Sequence, residues 1–162
     1  MKRYLTYVLS FALFGFTSCE GFLDTDVPSI DQHTFFSGEQ TAYSALVGIY
    51  DPAGWMEYIQ FLDWAIGDVV SDDATKGGGG DSDQPQIYDL EHFRATPEMA
   101  TLSTVWEQNY EGINRANRLI EGLKDNTAVK EDVRKRFIAE ARFMRGYYYF
   151  CLIKVLGAVP IV

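Results

Sequence analysis

Acidic residues and glycines that could bind a ligand are concentrated in residues 68–95, which we call the Gly/Asp-rich segment. Carboxylates bind cations or act in acid–base catalysis, and glycine-rich backbone can approach a phosphate closely. The segment has no helical or strand periodicity, which predicts a long loop, and long loops inside compact domains are often functional. It is therefore the strongest candidate for a functional site.

The glycine run Gly77–Gly80 does not match a phosphate-binding loop. That motif requires a lysine and a hydroxyl residue directly after its last glycine, whereas Asp81 follows here. The surrounding carboxylates would also repel a phosphate, so the run does not predict nucleotide binding.

The spacing of Asp81 and Asp83 is typical of the start of a calcium loop. An EF-hand loop then needs a third oxygen ligand and a glycine, but Pro85 and Gln86 stand there. A solvated acidic loop is the favoured interpretation, and a looser calcium site remains an alternative. Its candidate ligands are the aspartates of the segment: Asp68, Asp72, Asp73, Asp81 and Asp83.

No pattern in the sequence predicts catalysis. Glycosidases need two carboxylates at a set separation, and Asp72 and Asp73 are adjacent, so their side chains need not face each other. His33 and His92 are the only histidines and lack metal-ligand spacing. The serines near the acids have no triad context. We expect no enzyme activity, no cofactor and no metal.

Side chains suited to sugar binding occur near the end of the segment. Sugars stack their C–H faces on aromatic rings and bond their hydroxyls to polar side chains, and Tyr88, Phe93 and Arg94 are of these types. The alternative is that these residues only anchor the loop to neighbouring helices. Both interpretations stay open from the sequence.

Cys19 follows a pattern typical of bacterial lipoproteins. Lys2 and Arg3 precede an apolar run, residues 5–16, which is too short to span a bilayer but fits a secretory signal. In "FTSC", small residues then precede a cysteine whose thiol would carry the lipid. We expect residues 1–18 to be removed and Cys19 to be lipidated; a disulfide with Cys151 is the alternative.

Length and composition are sufficient for one domain with a sizeable core. The chain has 162 residues, 47% of them hydrophobic, and a net charge of −9. An acidic chain repels nucleic acid backbones, so no nucleic acid partner is expected. Residues 19–36 are acidic with little periodicity and predict an extended tether from the membrane, ahead of a helical domain at 37–162.

Apolar residues recur at helical spacing in four stretches. A capping box at Ser37–Gln40 predicts the start of the first helix, and Pro52 its end. The stripe predicted to face the core is Ala42, Ala45, Leu46, Ile49 and Tyr50 in the first helix, and Trp55, Ile59, Leu62 and Ile66 in the second, which Gly67 ends. In the third helix it is Leu102, Trp106, Tyr110, Ile113, Ile120 and Leu123. In the fourth it is Val133, Phe137, Ala141, Met144, Tyr148, Leu152 and Val155.

The third and fourth helices carry further expectations. Thr96 is predicted to cap the third helix, and Asn117, on its stripe, to be a buried amide bonded to a neighbouring helix. The fourth should run from near Ala128 to Gly157, with "AVPIV" as an extended strand. From 147 to 153 every residue is apolar or aromatic, which predicts burial all round. We therefore expect the N-terminal part of a longer protein; oligomerisation is the alternative.

Four stretches together resemble the N-terminal part of the SusD/RagB family of nutrient-binding outer-membrane lipoproteins. They are "SCEGFLDTDVPS", "TFFSGEQTAYSALVGIYD", "VWEQNYEGINRANRLIEGL" and "AEARFMRGYYYFCLIKVLGAVPIV". The resemblance implies an all-α fold of TPR-like helical hairpins with a long Gly/Asp-rich loop. It also implies a ligand face near that loop, which makes Asp72, Asp73, Tyr88 and Arg94 the candidate ligand-binding residues.

The resemblance further implies function and location. Family members bind glycans or other nutrients without catalysis and pass them to a SusC-like TonB-dependent transporter. The expected location is the outer membrane, with a lipid anchor and the domain facing the cell exterior. A TPR-like scaffold that binds only protein is the alternative, and a surface glycosidase is the third reading.

Overall fold

The computed structural model describes residues 35–55 and 60–162, and for residues 60–63 the backbone only. Cys19 and the whole of 1–34 lie outside the described residues. The described part contains no strand, so the predicted all-α class is confirmed. Its elements are α1 (Glu39–Tyr50), a 3₁₀ turn (Asp51–Gly54), a π-helix (Gln60–Val69), α2 (Pro85–Glu91), α3 (Ala100–Leu123) and α4 (Glu131–Leu156).

The core lies where α1 packs across the antiparallel pair of α3 and α4. Leu46 and Ile49 of α1 meet Ile113 of α3 and Phe137 of α4, and all four are buried. At about 25 cal/mol per Å² of apolar surface, such side chains contribute most of the favourable free energy of folding. The predicted stripes of the first and fourth helices supply most of this core.

Two glycines of α3 allow neighbouring rings to approach its backbone. A Cβ at Gly112 would lie 2.3 Å from Cε2 of Tyr148, and one at Gly122 would lie 2.2 Å from Cε2 of Phe36. Tyr148 is fully buried, and its hydroxyl donates a hydrogen bond to the carbonyl oxygen of Ile49. One tyrosine therefore joins all three core helices.

The predicted capping box at α1 is wrong. Gly38, not Ser37, is the N-cap, and no side chain caps the helix. The Thr41 hydroxyl instead donates to the Gly38 carbonyl oxygen at 2.9 Å. The helix starts one residue later than predicted because Phe36 is buried against Gly122, which fixes the chain entering α1.

The buried face of α3 differs from the predicted stripe by one residue along most of the helix. Val105, Asn109 and Leu119 are fully buried, whereas Trp106 is 41% exposed. Small residues on the true face let α4 approach closely, and the Asn109 amide is satisfied by the Val105 carbonyl oxygen at 2.7 Å. The predicted Thr96 cap is also wrong, because the helix starts at Ala100 after Met99.

Asn117 bonds to a neighbouring helix, as predicted, although it is half-buried rather than buried. Its Oδ1 accepts a hydrogen bond from Nη1 of Arg145 on α4 at 2.8 Å, and its Nδ2 donates to the Val162 carbonyl oxygen at 3.1 Å. An ion pair four residues apart on α3 also forms, with Arg115 Nε and Glu111 Oε1 2.7 Å apart.

The segment after α4 is not a strand. Gly157 ends the helix with φ +75°, a conformation that favours glycine. Residues 158–162 then lie along α3 and α4, where the Tyr110 hydroxyl donates to the Pro160 carbonyl oxygen at 2.6 Å. The Val162 amide donates to the Tyr149 hydroxyl at 2.9 Å.

The expectation that residues 147–153 are buried on every side is wrong for the described structure. Phe150 is 56% exposed and Ile153 51% exposed, and Phe143 one turn earlier is 72% exposed. By contrast, Tyr148, Cys151 and Leu152 are buried. The outward side of α4 therefore presents an apolar surface.

The Gly/Asp-rich segment is not wholly loop, because it contains α2. The π-helix ends at Val69 rather than at Gly67, the predicted end of the second helix. In the described chain, Trp55 is not part of the π-helix. Ile59 falls outside the described residues. None of the helices in the described ranges is long and apolar enough to cross a membrane.

Candidate functional site

The Gly/Asp-rich segment is held to the fold by a small apolar cluster of its own. Ile87 of α2 is buried against Ala65 and Val69 of the π-helix, with Trp64 and Ala74 at the edge. Ile87 and Leu90 are the buried residues of α2, so the rest of this short helix is free to face outward. The cluster fixes where the candidate ligand-binding residues stand.

The turn that contains the glycine run is held by hydrogen bonds from a lysine. The Lys76 ammonium donates to the carbonyl oxygens of Gly77 at 3.1 Å, Gly80 at 2.9 Å and Asp83 at 2.6 Å. The Asp83 carboxylate in turn accepts the Gly79 amide at 3.0 Å. Gly78 has φ +77°, and a Cβ there would lie 2.2 Å from Asp83 Oδ2, so the turn requires glycine.

Asp72 and Asp73 are exposed on the turn that follows the π-helix. Asp72 has φ +68°, and Asp73 accepts a hydrogen bond from the Ser71 hydroxyl at 3.4 Å. No hydrogen bond or ion pair joins either aspartate to Tyr88 or Arg94 in the described structure. The two carboxylates are free to accept hydrogen bonds from a ligand, but they form no composite site with the aromatic residues.

Tyr88 and Arg94, two of the candidate ligand-binding residues, contact each other. Arg94 Cζ lies 5.5 Å from the centroid of the half-buried Tyr88 ring. The His92 ring lies 4.1 Å from the same ring, centroid to centroid. Asp89 is 3.9 Å from the Arg94 guanidinium, Oδ1 to Nη1, so a carboxylate compensates part of its charge. We call these four residues the Tyr88 cluster.

Backbone geometry holds the Tyr88 cluster in place. His92 Nδ1 lies 2.8 Å from the Tyr88 carbonyl oxygen, and the Arg94 amide donates to the Asp89 carbonyl oxygen at 2.7 Å. Phe93, the other aromatic candidate, adopts φ +56° and is 76% exposed. An aromatic face with hydrogen-bond donors and acceptors at its edge is the combination that sugar rings bind.

The described residues contain no group of three His, Cys, Asp or Glu side chains placed to share a metal ion. In the glycine turn, the carbonyl oxygens that a cation could use already accept hydrogen bonds from Lys76. The acidic side chains of the segment are spread over an exposed surface. A loop held by internal hydrogen bonds describes them better than a calcium site.

Sequence reasoning did not identify several residues that lie around the candidate site. His92 lies four residues after Tyr88, a spacing that places two rings on one side of a helix, but α2 had not been predicted. Gln84 and Gln86 line a groove with Thr101 and Thr104. These residues come from two separate elements, so no local pattern in the sequence joins them.

Comparisons with known proteins agree on one family. Residues 21–162 match the family model SusD-like_3, described as "Starch-binding associating with outer membrane". "SusD-like protein P25" of Formosa agariphila is 26% identical over 171 residues, which cover 99% of this chain and 31% of that protein. "SusD-like protein" of Bacteroides ovatus is 27% identical over 166 residues, which cover 100% of this chain and 29% of that protein.

The chain therefore spans about a third of the length of the curated relatives it matches. A third relative, "SusD-like protein P38" of Formosa agariphila, is 26% identical, and the match covers 31% of it. No solved structure matches the chain. The family model extends over most of the sequence, including all the described helices, and this identifies the chain as a member of the SusD/RagB family.

Proposed function

We propose that this protein binds a glycan or another nutrient at the cell surface without chemically changing it. The carrying observation is the Tyr88 cluster: a half-buried ring flanked by an imidazole, a guanidinium and a carboxylate, anchored beside an acidic loop. Membership of a family described as starch-binding and associated with the outer membrane supports the glycan class.

Four residues are proposed to contact the ligand. Tyr88 would stack against a sugar face, since aromatic rings bind the C–H faces of sugars, and Arg94 would donate hydrogen bonds to hydroxyls. Asp72 and Asp73, exposed on the neighbouring turn, would accept hydrogen bonds from a longer ligand. No metal and no cofactor is part of this proposal.

Membrane attachment is proposed to follow from the N-terminal sequence. Residues 1–18 would be removed as a lipoprotein signal, and Cys19 would carry the lipid. Residues 19–36 would form the tether, whose last two residues, Phe35 and Phe36, pack on the helices. The domain at 37–162 would belong to a TPR-like protein that faces the cell exterior and associates with a SusC-like TonB-dependent transporter.

Binding is tested by calorimetry on the protein at its full natural length with a panel of soluble oligosaccharides. Tyr88→Ala is expected to weaken binding about tenfold, which is ~1.4 kcal/mol. Tyr43→Ala is the matched control, because Tyr43 is a half-exposed ring on α1, away from the cluster. Equal affinities for the two variants would count against a ligand site at Tyr88.

Lipidation is tested by the intact mass of the protein extracted with detergent from outer membranes. A diacylglycerol-plus-acyl increment is expected, and Cys19→Ser should abolish both the increment and the membrane association. A native product without lipid would overturn the proposed anchor.

A second candidate function is favoured by the apolar surface of α4. Phe143, Phe150 and Ile153 are more than half exposed, and exposed apolar patches often mark sites of protein association. A scaffold that binds only protein would copurify with a partner but would show no heat of binding with any oligosaccharide.

A further inference from the structure

A groove lies where the first turns of α3 meet the end of α4, with a volume of about 300 Å³. This volume is at the lower end of the range of small-ligand sites, roughly 300–1,000 Å³, and therefore suits a small molecule. Its lining residues are Pro97, Leu102, Ser103, Trp106, Glu107 and Leu156. None of them belongs to the Tyr88 cluster.

The groove is built by helical spacing on α3. Leu102 and Trp106 are four residues apart, and so are Ser103 and Glu107, a separation that places side chains on the same side of an α-helix. Leu156, in the last turn of α4, completes the lining from the neighbouring helix. An aromatic ring, a carboxylate and a hydroxyl are thereby combined with apolar walls.

Trp106 presents an aromatic surface that is held in position. Its side chain is 41% exposed, and its ring lies 4.6 Å from the Tyr110 ring, centroid to centroid. Tyr110 is itself anchored by the hydrogen bond that its hydroxyl donates to the Pro160 carbonyl oxygen at 2.6 Å. The face of a tryptophan ring attracts a cation more strongly than the face of any other aromatic side chain.

Glu107 supplies a negative charge next to this ring. Its side chain is exposed, and it forms no hydrogen bond or ion pair with any residue that the structure describes. By contrast Glu111, one turn later on α3, is paired with Arg115. The Glu107 carboxylate is therefore available to a positively charged ligand in the groove.

The charges around the groove also favour a cation. Glu98 directly follows Pro97 and is exposed, and the whole chain carries a net charge of −9. Lys154, the nearest cation to Leu156 in the sequence, is directed at another ring, with Nζ 5.2 Å from the Phe150 centroid. Acidic surroundings raise the local concentration of cations and repel anions.

The lining favours a quaternary ammonium group over a primary one. A primary ammonium has three N–H donors, each of which needs an acceptor once water is removed. Among the lining side chains, acceptor oxygens are found on Glu107 and Ser103 alone. A trimethylammonium group has no N–H donor, and its methyl groups pack well against aromatic and apolar surface.

We propose that this groove binds a small molecule that carries a trimethylammonium group. The cation contacts the Trp106 ring, and the Glu107 carboxylate balances its charge. Leu102 and Leu156 pack against the methyl groups. This site is independent of the Tyr88 cluster, and it gives the protein a second class of ligand besides oligosaccharides.

The test is calorimetry with choline on the protein at its full natural length. One comparison ligand is the uncharged carbon analogue of choline, in which a tert-butyl group replaces trimethylammonium; the other is ethanolamine, which carries a primary ammonium. The groove variants are Glu107→Gln and Trp106→Leu. Their matched controls are Glu121→Gln, an exposed glutamate later on α3, and Tyr43→Leu, a half-exposed ring on α1.

Choline is expected to bind the wild type at least about tenfold more tightly than either comparison ligand. Each groove variant should weaken choline binding about tenfold, while both controls and Tyr88→Ala agree with the wild type. Glu107→Gln changes one exposed side chain without changing its size, and melting temperatures establish that every variant folds.

Equal affinities for choline and its uncharged analogue would overturn a cation site. Tighter binding of ethanolamine would overturn the quaternary class. Absence of choline binding, or choline binding that neither groove variant weakens, would overturn the assignment to this groove. None of these results bears on oligosaccharide binding at the Tyr88 cluster, which is measured separately.

Discussion

The core of α1, α3 and α4 and the Gly/Asp-rich segment are stabilised in different ways. The core relies on large buried side chains and on backbone approaches at Gly112 and Gly122. The segment buries a few side chains around Ile87 and is otherwise held by hydrogen bonds from Lys76 and Asp83. The first region therefore provides most of the stability, and the second carries the polar groups and rings that we propose bind a ligand.

The largest effect on stability is expected at Gly112, in the core. Gly112→Ala should destabilise the protein by about 3 kcal/mol, because the added Cβ would overlap the buried Tyr148 ring. Urea unfolding measures this change. Gly146→Ala is the matched control, since a Cβ there meets nothing within 4 Å and alanine favours the helix by up to ~1 kcal/mol. Equal stabilities of the two variants would contradict the close packing of α3 on α4.

The second prediction concerns the pH dependence of the free energy of unfolding. Burial raises the pKa of Tyr148 to about 12, from ~10 in an unfolded chain. The stabilisation that comes from this raised pKa is complete below pH 10 and is lost as the pH rises from 10 to 12. In that range the unfolded state releases the phenol proton, whereas the folded state retains it. The loss should be about 2 kcal/mol.

Tyr148→Phe separates this contribution from the other tyrosines, which titrate in both proteins. The free energy of unfolding of the wild type should fall more steeply above pH 10 than that of Tyr148→Phe, by chemical denaturation at each pH. Parallel pH profiles would mean that the Tyr148 hydroxyl is not buried in the core.

The smallest expected effect concerns the hydrogen bonds of Lys76 in the Gly/Asp-rich segment. Lys76→Met removes three hydrogen bonds to carbonyl oxygens, but these bonds hold an exposed turn. Global stability should change by less than about 1 kcal/mol, while amide hydrogen exchange of residues 77–83 should accelerate. Lys124→Met, the control, replaces an exposed lysine just after α3. It should change neither the global stability nor the hydrogen exchange of residues 77–83. Loss of protection in α3 and α4 would show that the two regions are not independent.

Long, strongly periodic elements were predictable from sequence. The stripe of α4 and its end at Gly157 were both predicted correctly, because a helix of this length repeats its pattern many times. On α3, Ile113 and Leu123 are buried as predicted, but the rest of the predicted stripe is one residue away from the buried face, since Trp106 and Tyr110 dominate any apolar pattern. Their rings instead stack on each other, 4.6 Å apart, at the edge of the fold.

Features that depend on tertiary contacts were not predictable. α2 has seven residues, too few for a clear period, and it is stabilised by packing of Ile87 on the π-helix. The start of α1 depends on Phe36, whose ring lies against a glycine far along the chain. Of the candidate site, Tyr88 and Arg94 were named singly from their residue types, and their contact with each other was not predicted.

The ammonium of Lys76 provides a positive charge within the acidic, glycine-rich turn. Acidic, glycine-rich turns elsewhere commonly need a dissolved cation to fold, whereas here the positive charge is a covalent part of the turn. A covalent cation cannot be washed out by dilution or removed by a chelator. We therefore expect the shape of this turn not to depend on the supply of divalent ions in the surrounding medium.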